Sequence, residues 1–202
     1  MTTGNSLVHE QVAAVVLAAG LSTRMKSPKL LLPWRKTTVI GQVVETLNEA
    51  GVDEIVVVSG ETRQALLHAL SGSPAQVVFN ARYAEDAMAV SLQVGLTAVS
   101  SLAAAALVVL GDQPQMQVDV VRAILDVYRQ TSSTLVVPSY RFRRGHPWLL
   151  HRSLWDALRA LPPGATLRHF LAAQAVHIRY VSVATDSVLQ DLDTPEDYAR
   201  SG

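Results

Sequence analysis

The regular part of the chain begins with Val12-Ala13-Ala14-Val15-Val16-Leu17-Ala18-Ala19-Gly20, an apolar run of strand length that ends at a glycine. Two later runs, Ile55–Val58 and Ala105–Leu110, are also apolar throughout, and segments with helical spacing separate them. Strands without polar positions are typical of a parallel sheet that helices cover on both faces. The pattern therefore predicts an α/β fold with a doubly wound, mostly parallel sheet.

The remaining predicted elements alternate in the same way. Strands are expected at Gln76–Phe79, Thr134–Val137, Trp148–Leu150 and Ile178–Val183, and helices at Val39–Ala50, Glu61–Leu70, Ser91–Ala104, Val118–Tyr128, Ser153–Ala160 and Leu167–Ala175. Gly51 is expected to cap the first helix. Because no linker or repeat interrupts the pattern, we expect a single domain at residues 11–202 after a disordered tail at residues 1–10.

Composition narrows the classes of function. Lys plus Arg and Asp plus Glu both number 17 in 202 residues, so no net charge attracts nucleic acid or anionic membranes. The absence of cysteine excludes disulfides, thiolate catalysis and cysteine-bound metals. The apolar runs are too short to span a membrane, and residues 1–10 lack the pattern of a signal peptide. We therefore expect a cytoplasmic protein without a nucleic-acid or membrane partner.

Three polar segments follow predicted strands: Gly20–Lys29, Gly111–Pro114 and Asp191–Pro195. In open α/β sheets, ligands bind beyond the carboxyl ends of the strands. The shared placement of these segments predicts one ligand site at that edge of the sheet.

The first segment has the chemistry of a phosphate-binding loop. Gly20 allows close approach of a ligand, Ser22 can donate a hydrogen bond, and Arg24 and Lys29 supply cations that suit phosphate oxygens. The loop lacks the Gly-Lys-Ser/Thr ending of a Walker A motif and has too few glycines for a dinucleotide fingerprint. An ordinary basic surface loop is the alternative interpretation.

The other two segments are acidic. Asp112 follows a buried strand, where a carboxylate is well placed to hold Mg²⁺, although capping of the next helix is equally compatible with the sequence. In an extended segment Asp191 and Asp193 point to one side and could complete a metal site. The alternative is that Asp193 or Thr194 caps a helix that begins at Pro195.

The segment from Leu17 to Pro33 resembles the signature loop of the molybdenum cofactor nucleotidyltransferase family, Leu-Ala-Ala-Gly-x-Ser-x-Arg-Met-x-x-x-Lys-Leu-Leu-Leu-Pro. Its Ala18-Ala19-Gly20 form is more similar to the cytidylyltransferase branch than to the guanylyltransferase branch. The resemblance implies a Rossmann-like nucleotidyltransferase fold in which this loop binds the nucleotide. The binding residues would be Leu17, Ala18, Ala19, Gly20, Ser22, Arg24 and Lys29. Lys26 departs from the family pattern, which usually has glycine there.

The resemblance extends to the later motifs. Gly111-Asp112-Gln113-Pro114 is similar to the family's metal-binding turn, which implies Asp112 as a metal ligand and Gly111 beside the nucleotide. The family also has an Asp-Thr-Pro-Glu-Asp motif near its end, so we favour Asp193 over Asp191 as the second metal ligand. Asn80 and Ser91 would lie near the base or ribose, and Ser91 is also expected to cap the helix that it begins.

A basic segment, Arg143-Arg144-Gly145-His146-Pro147, resembles the Gly-His-Pro motif of the cytidylyltransferase branch. The resemblance implies that Arg144 and His146 bind a pterin-phosphate acceptor. From the residues alone, a solvated basic turn is the more common outcome for such a run.

The implied reaction is transfer of CMP from CTP to the phosphate of molybdopterin or molybdenum cofactor, with release of pyrophosphate. Arg24, Lys29 and Asp112 would be the catalytic residues, with Mg²⁺ as cofactor and Mn²⁺ as an alternative. GTP or ATP in place of CTP, a sugar or alcohol phosphate as acceptor, and a non-catalytic factor that delivers cofactor to a molybdenum hydroxylase all stay open. Some relatives are named as oxidoreductases, but the missing dinucleotide fingerprint speaks against that activity.

Overall fold

The structure is a computed structural model that describes residues 10–20, 28–85, 87–162 and 164–201. The predicted N-terminal tail lies outside the described residues apart from Glu10. The Glu10 carboxylate accepts a hydrogen bond from the Tyr128 hydroxyl at 2.6 Å. Within the described residues, no helix is long and apolar enough to cross a membrane.

Strands and helices alternate along the chain. The strands are β1 (Gln11–Ala18), β2 (Pro33–Trp34), β3 (Thr37–Thr38), β4 (Glu54–Ser59), β5 (Ala75–Phe79), β6 (Ala103–Leu110), β7 (Leu135–Tyr140), β8 (Arg143–Arg144), β9 (Trp148–His151) and β10 (Ile178–Ser182). The helices are α1 (Val39–Glu49), α2 (Arg63–Ala69), α3 (Met88–Ala98), α4 (Val118–Thr131), α5 (Trp155–Arg159), α6 (Leu167–Ala173) and α7 (Pro195–Ser201).

Local sequence sets the bounds of α1. At its start the Thr38 hydroxyl accepts a hydrogen bond from the Gly41 amide at 3.1 Å, which satisfies one of the free amides of the first turn. Past its end Gly51 has a φ of 83°, a conformation that glycine adopts at little cost. The predicted glycine cap is therefore confirmed.

One eight-stranded sheet has the order β10-β7-β9-β6-β1-β4-β5, with β8 paired to β7. Strand β1 lies near its centre and pairs in parallel with β4 and β6. Strand β9 runs antiparallel to both β6 and β7. The sheet is thus mostly parallel, as the sequence predicted.

Alternate residues of β1 face two apolar layers. Val12, Ala14 and Val16 pack with α1 and α4, whereas Ala13 and Val15 pack with α3 and α5. All five side chains are fully buried. Helices therefore cover both faces of the sheet, which explains why this strand has no polar residue after Gln11.

The helix predicted at Ser91–Ala104 was too long. Helix α3 ends at Ala98, and β6 begins at Ala103. The Glu54 carboxylate holds the intervening turn by accepting the Ser100 amide at 3.0 and 3.2 Å. Alanine favours a helix by local propensity, but pairing with the central strand decides the conformation of this alanine run.

The carboxyl ends of the central strands lie at one edge of the sheet because the strands are parallel and in register. Leu17 near the end of β1 pairs with Val58 of β4 and with Leu110 of β6. The segments that follow these strands therefore meet at this edge, where the candidate site lies.

Candidate active site

Lys29 joins two of the predicted acidic side chains at the carboxyl edge of the sheet. Its Nζ donates a hydrogen bond to Asp112 Oδ2 at 2.5 Å and another to Asp193 Oδ1 at 3.2 Å. The side chains of Lys29 and Asp112 are 15% and 18% exposed, and that of Asp193 is 47% exposed. Three residues far apart in sequence thus form one charged group, in which Lys29 and Asp112 are largely shielded from solvent and Asp193 is not.

Gly111 determines where Asp112 lies. Its amide donates to the Leu17 carbonyl at 3.0 Å, and a Cβ on Gly111 would lie 2.9 Å from the same oxygen. Only glycine allows β6 to leave the sheet so close to the end of β1. Asp112 does not cap the next helix, because the residue that precedes α4 is Gln117.

The acidic segment near the C-terminus is joined to the Asp112 turn by two hydrogen bonds. The Leu192 amide donates to the Asp112 carbonyl at 3.1 Å, and Gln113 Nε2 donates to Asp191 Oδ1 at 2.6 Å. Gln113 and Leu192 are each 1% exposed. These bonds place Asp191 within electrostatic reach of Lys29, Asp112 and Asp193. We call Lys29, Asp112, Asp191 and Asp193 the Lys29 cluster.

Helix capping and the Lys29 contact occur side by side in the acidic segment. Thr194 precedes α7, where its hydroxyl accepts a hydrogen bond from the Asp197 amide at 3.2 Å, and Pro195 is the first helical residue. Asp193, one position earlier, reaches Lys29 instead. Thr194 therefore caps the helix and leaves the Asp193 carboxylate to the cluster.

Burial and charge oppose each other in the Lys29 cluster. Burial by itself lowers the pKa of Lys29, but the charges and hydrogen bonds of Asp112 and Asp193 outweigh it and raise that pKa. Burial raises the pKa of Asp191, and the negative charges of Asp112 and Asp193 act in the same direction. The Lys29 ammonium is therefore the cation that the neighbouring carboxylates share.

The residues of the cluster fit a metal ion that substrate oxygens help to hold. Among the described residues, no group of three or more His, Asp or Glu side chains could hold a metal alone. Mg²⁺ in nucleotide-dependent enzymes usually has one or two carboxylate ligands and takes its others from phosphates and water. Asp112 and Asp193 meet that requirement because both carboxylates already converge on one cationic nitrogen.

Asn80 and Ser91 lie together beside the ends of β4 and β5. Asn80 is 1% exposed; its Nδ2 donates to Ser91 Oγ at 3.1 Å, and its Oδ1 accepts the Arg82 amide at 2.9 Å. The prediction that Ser91 caps the helix is wrong, because Ala87 precedes α3 and Ser91 lies inside it. The protein itself thus already engages both polar ends of Asn80.

The basic segment separates into an exposed part and a buried part. Arg144 is exposed, and its Nε donates to the Tyr180 hydroxyl at 2.8 Å. His146 is partly buried beside Trp148, its amide donates to the Val188 carbonyl at 2.9 Å, and burial lowers the pKa of its imidazole to about 4. The His146 ring is therefore neutral at physiological pH. Among the described residues, Arg144 contacts Tyr180 of β10 rather than the Lys29 cluster.

The start of the signature loop leaves the sheet at the same edge. Leu17 and Ala18 end β1, Ala19 is buried, and Gly20 is exposed. No described atom lies within 4 Å of the place that a Cβ on Gly20 would take, and its φ is outside the left-handed region. Within the part of the chain that the structure describes, the space beside Gly20 is open, and the Gly20 backbone does not itself require glycine. Ser22, Arg24 and Lys26 lie outside the described residues.

Gln113 contacts the Lys29 cluster, and the sequence did not predict this contact. Its Oε1 is buried without a hydrogen-bond partner among the described residues, while its Nε2 holds Asp191. The available signal was a glutamine directly after the candidate metal ligand. Nothing in the local sequence indicated that its partner lies 78 positions away.

Comparison with known proteins identifies the family. The family model of the MobA-like NTP transferase domain matches residues 14–178, a range that includes most of β1, Lys29 and Asp112. The chain belongs to the MobA-like NTP transferase family. The nucleotidyltransferase fold predicted from the sequence is thereby confirmed.

Relatives that align along nearly the whole of this MobA-like chain are named for different activities. The nicotine blue oxidoreductase of Paenarthrobacter nicotinovorans is 31% identical over 197 residues, which cover 94% of this chain and 95% of that protein. The molybdenum cofactor cytidylyltransferase of Escherichia coli is 24% identical over 189 residues and 93% of each chain. Among solved structures, Rv0371c of Mycobacterium tuberculosis superimposes with a TM-score of 0.84 at 31% identity, covering 95% of this chain and 97% of that one. A second structure of Rv0371c, a manganese complex, gives a TM-score of 0.78 at 32% identity, with the same coverage of both chains.

Proposed function

We propose that this nucleotidyltransferase transfers CMP from CTP to the phosphate of a pterin cofactor, molybdopterin or its molybdenum-loaded form, and releases pyrophosphate. One observation carries the proposal: Lys29, at the end of the signature loop, meets Asp112 and Asp193 at the carboxyl edge of the sheet. A cation for phosphate oxygens and two carboxylates for a metal are what triphosphate chemistry needs in one place.

In this proposal Asp112 and Asp193 hold a divalent metal, with Mg²⁺ as the physiological ion and Mn²⁺ as a substitute. A metal held there would supply Lewis-acid chemistry and would offset the charge that develops in the reaction. The manganese complex of Rv0371c supports a divalent ion in a relative of the same fold. Asp191, two positions before Asp193, accepts a hydrogen bond from Gln113.

The remaining residues of the chain bind and orient the substrates. Lys29 and Arg24 contact the triphosphate and the leaving pyrophosphate, and the open space beside Gly20 receives the nucleotide. Asn80 and Ser91 border the base or ribose. No side-chain nucleophile is required, because the acceptor phosphate is already ionised near neutral pH.

Two features favour cytidylyl transfer to a pterin phosphate over other NTP transfers. The Ala18-Ala19-Gly20 sequence and the Gly145-His146-Pro147 segment both resemble the cytidylyltransferase branch. The E. coli cytidylyltransferase also aligns along nearly the whole chain. A neutral, partly buried His146 suits contact with an uncharged pterin ring, and Arg144 supplies a cation on the same segment for the acceptor phosphate.

The decisive experiment measures pyrophosphate release with the molybdenum-loaded pterin and each of CTP, GTP, ATP and UTP. We expect release with CTP and Mg²⁺. Asp112→Asn should reduce the rate by about 100-fold or more, because it removes a charge that holds the metal. Asp119→Asn, at an exposed position at the start of α4, is the matched control and should retain activity. Failure of all four nucleotides to release pyrophosphate would refute the proposal.

A second candidate function follows from the 31% identical relative, which is named as an oxidoreductase. Oxidation of NADH or NADPH with a quinone-like dye as acceptor tests it directly. Hydride transfer that persists in Asp112→Asn and needs no divalent metal would favour the oxidoreductase over the transferase.

We also propose that residues 11–202 act as one domain. The support is the sheet itself, since strands from Gln11 to Ser182 contribute to it, and the Leu192 amide closes on Asp112. In a cell, the product of such a domain would pass to a molybdenum hydroxylase. If Asp112→Ala stopped pyrophosphate release but still supported activation of that enzyme, delivery and catalysis would be separable.

A further inference from the structure

We propose that Lys29 has a second role besides contacting phosphate. In the nucleotide-free protein its ammonium occupies the place between Asp112 and Asp193 that the divalent metal takes once nucleotide is bound. Metal and lysine therefore compete, and the nucleotide decides which of them the carboxylates hold. The inference rests on the proposed function, because it assigns those two carboxylates to the metal.

The geometry leaves one position for one cation. Lys29 Nζ is 2.5 Å from Asp112 Oδ2 and 3.2 Å from Asp193 Oδ1, so the ammonium already fills the gap between the carboxylates. A divalent ion bound by the same two oxygens would lie about 2 Å from each of them. The ammonium and the ion cannot occupy that gap together, because both their volumes and their charges exclude it.

The exchange requires the Lys29 side chain to move, but not the backbone that carries it. Lys29 begins a 3-10 helix, Lys29–Leu31, in which Leu30 is buried and holds the backbone in the core. The four-carbon stem of lysine is flexible and carries a compact charge. The backbone of Lys29 is therefore fixed while its side chain is flexible, and its Nζ can move from carboxylate to phosphate without rearranging the fold.

Charge balance makes the exchange depend on the nucleotide. Asp191 adds a third carboxylate beside Asp112 and Asp193, so loss of the lysine contact removes a positive charge that offsets their mutual repulsion. A triphosphate supplies oxygens for the displaced ammonium and further ligands for the metal. Metal and nucleotide should therefore bind with positive coupling, and each should bind more weakly alone.

The test measures Mn²⁺ binding to the nucleotide-free protein by the loss of the free-ion signal in electron paramagnetic resonance. Lys29→Met keeps most of the side-chain volume and removes the competing charge, so we expect its Mn²⁺ affinity to exceed that of the wild type by about tenfold. Lys36→Met, the same change at an exposed position, is the matched control and should bind Mn²⁺ like the wild type. Lys29→Gln gives a second neutral variant, and circular dichroism checks that each variant is folded.

A second titration contains a non-hydrolysable CTP analogue. The wild type should then bind Mn²⁺ at least about tenfold more tightly than without nucleotide, after correction for Mn²⁺ held by free nucleotide, and the advantage of Lys29→Met should disappear. Equal or weaker Mn²⁺ binding by Lys29→Met without nucleotide would overturn the inference, as would an absence of coupling in the wild type. Because no step of this test involves turnover, a protein that fails only the pyrophosphate assay would refute the transfer reaction and leave the metal exchange standing.

Discussion

At the scale of single residues, Gln113 shows how a neutral side chain can support a charged site. Its side chain is almost completely buried. The hydrogen bond that the side-chain amide donates to Asp191 links the turn that carries Asp112 to the segment that carries Asp193. Sequence patterns identified both carboxylates because acidic residues after strands have a known chemistry. They did not identify Gln113, because its role depends on a partner that only the fold brings near.

Replacement of Gln113 by leucine should loosen this link. The Asp191 carboxylate would lose its donor, and because Asp191 is exposed to solvent the free energy of unfolding should fall by only about 1 kcal/mol. If the link also orients Asp193, the Mg²⁺ concentration for half-maximal activity should rise by about tenfold. Gln117→Leu, at an exposed position in the same loop, is the control. An unchanged Mg²⁺ requirement in a destabilised Gln113→Leu protein would restrict Gln113 to a structural role.

His146 should make stability depend on pH. Burial lowers its pKa to about 4, so the unfolded chain, in which histidine has its ordinary pKa near 6.5, binds more protons between those two values. Stability should therefore fall as the pH drops from about 6.5 to 4, with His146 contributing up to about 3 kcal/mol of that loss.

Denaturant unfolding at pH 7 and pH 4.5 measures this contribution. His146→Asn should show a smaller loss of stability on acidification than the wild type, whereas His68→Asn, at an exposed position, should show the same loss as the wild type. Parallel pH profiles for the wild type and His146→Asn would contradict the assignment.

At the scale of elements, helix α3 is fixed against the sheet by a glycine. A Cβ on Gly95 would lie 2.2 Å from Val15 Cγ1 and 2.9 Å from Val58 Cγ2, so the helix approaches β1 and β4 as closely as a backbone can. The family resemblance placed Ser91, in the same helix, near the base or ribose of the nucleotide. The structure shows that Gly95 faces the two central strands, and its near neighbour Ser91 reaches Asn80.

Gly95→Ala should destabilise the protein although alanine is the better helix former. The gain in propensity is about 1 kcal/mol, and the overlap with two buried valines should exceed it and leave a net loss of about 1–3 kcal/mol. Thr97→Ala, at an exposed position in the same helix, should be neutral or stabilising. Thermal unfolding of the two variants checks this prediction, and a Gly95→Ala protein as stable as the wild type would contradict it.

The same scale shows what sequence could and could not predict. Apolar runs gave β1, β4 and β6 with nearly correct bounds, because burial on both faces leaves a continuous apolar signature. The antiparallel direction of β9 was not predictable. Its residues Trp148–Leu150 are as buried as those of β6 and β7 on either side, and the pattern of side chains does not encode the direction of a strand. The end of α3 was missed because a carboxylate from a distant strand, Glu54, holds the turn.

At the scale of the whole molecule, the site brings together an early and a late segment of the sequence beside the central strands of the sheet. The edge was predictable from the order of strands and loops, and so were Lys29, Asp112 and Asp193 as its candidates. Their mutual distances were not predictable, because they depend on the register of β1 with β6 and on the path of the chain after β10.

A ligand that contacts both the early and the late segments of the site should stabilise the entire fold. At a concentration about 100-fold above its dissociation constant, a ligand adds about 2.7 kcal/mol, which raises the melting temperature of a chain of this size by about 5–10 °C. We expect that shift with CTP and Mg²⁺ together and much less with either alone. Differential scanning fluorimetry with all four nucleotides checks the preference. A larger shift with GTP than with CTP would contradict cytidylyl specificity.

The hydrogen bond from Lys29 to Asp193 spans 164 positions of sequence, and that separation has a consequence for biosynthesis. During translation the first strands and the signature loop leave the ribosome long before the segment that contains Asp193. A nascent chain can fold much of its sheet but has no complete cluster to offer a metal–nucleotide pair. The complete Lys29 cluster therefore forms only after Asp193 has left the ribosome, and a chain that stops before this residue lacks one of its carboxylates.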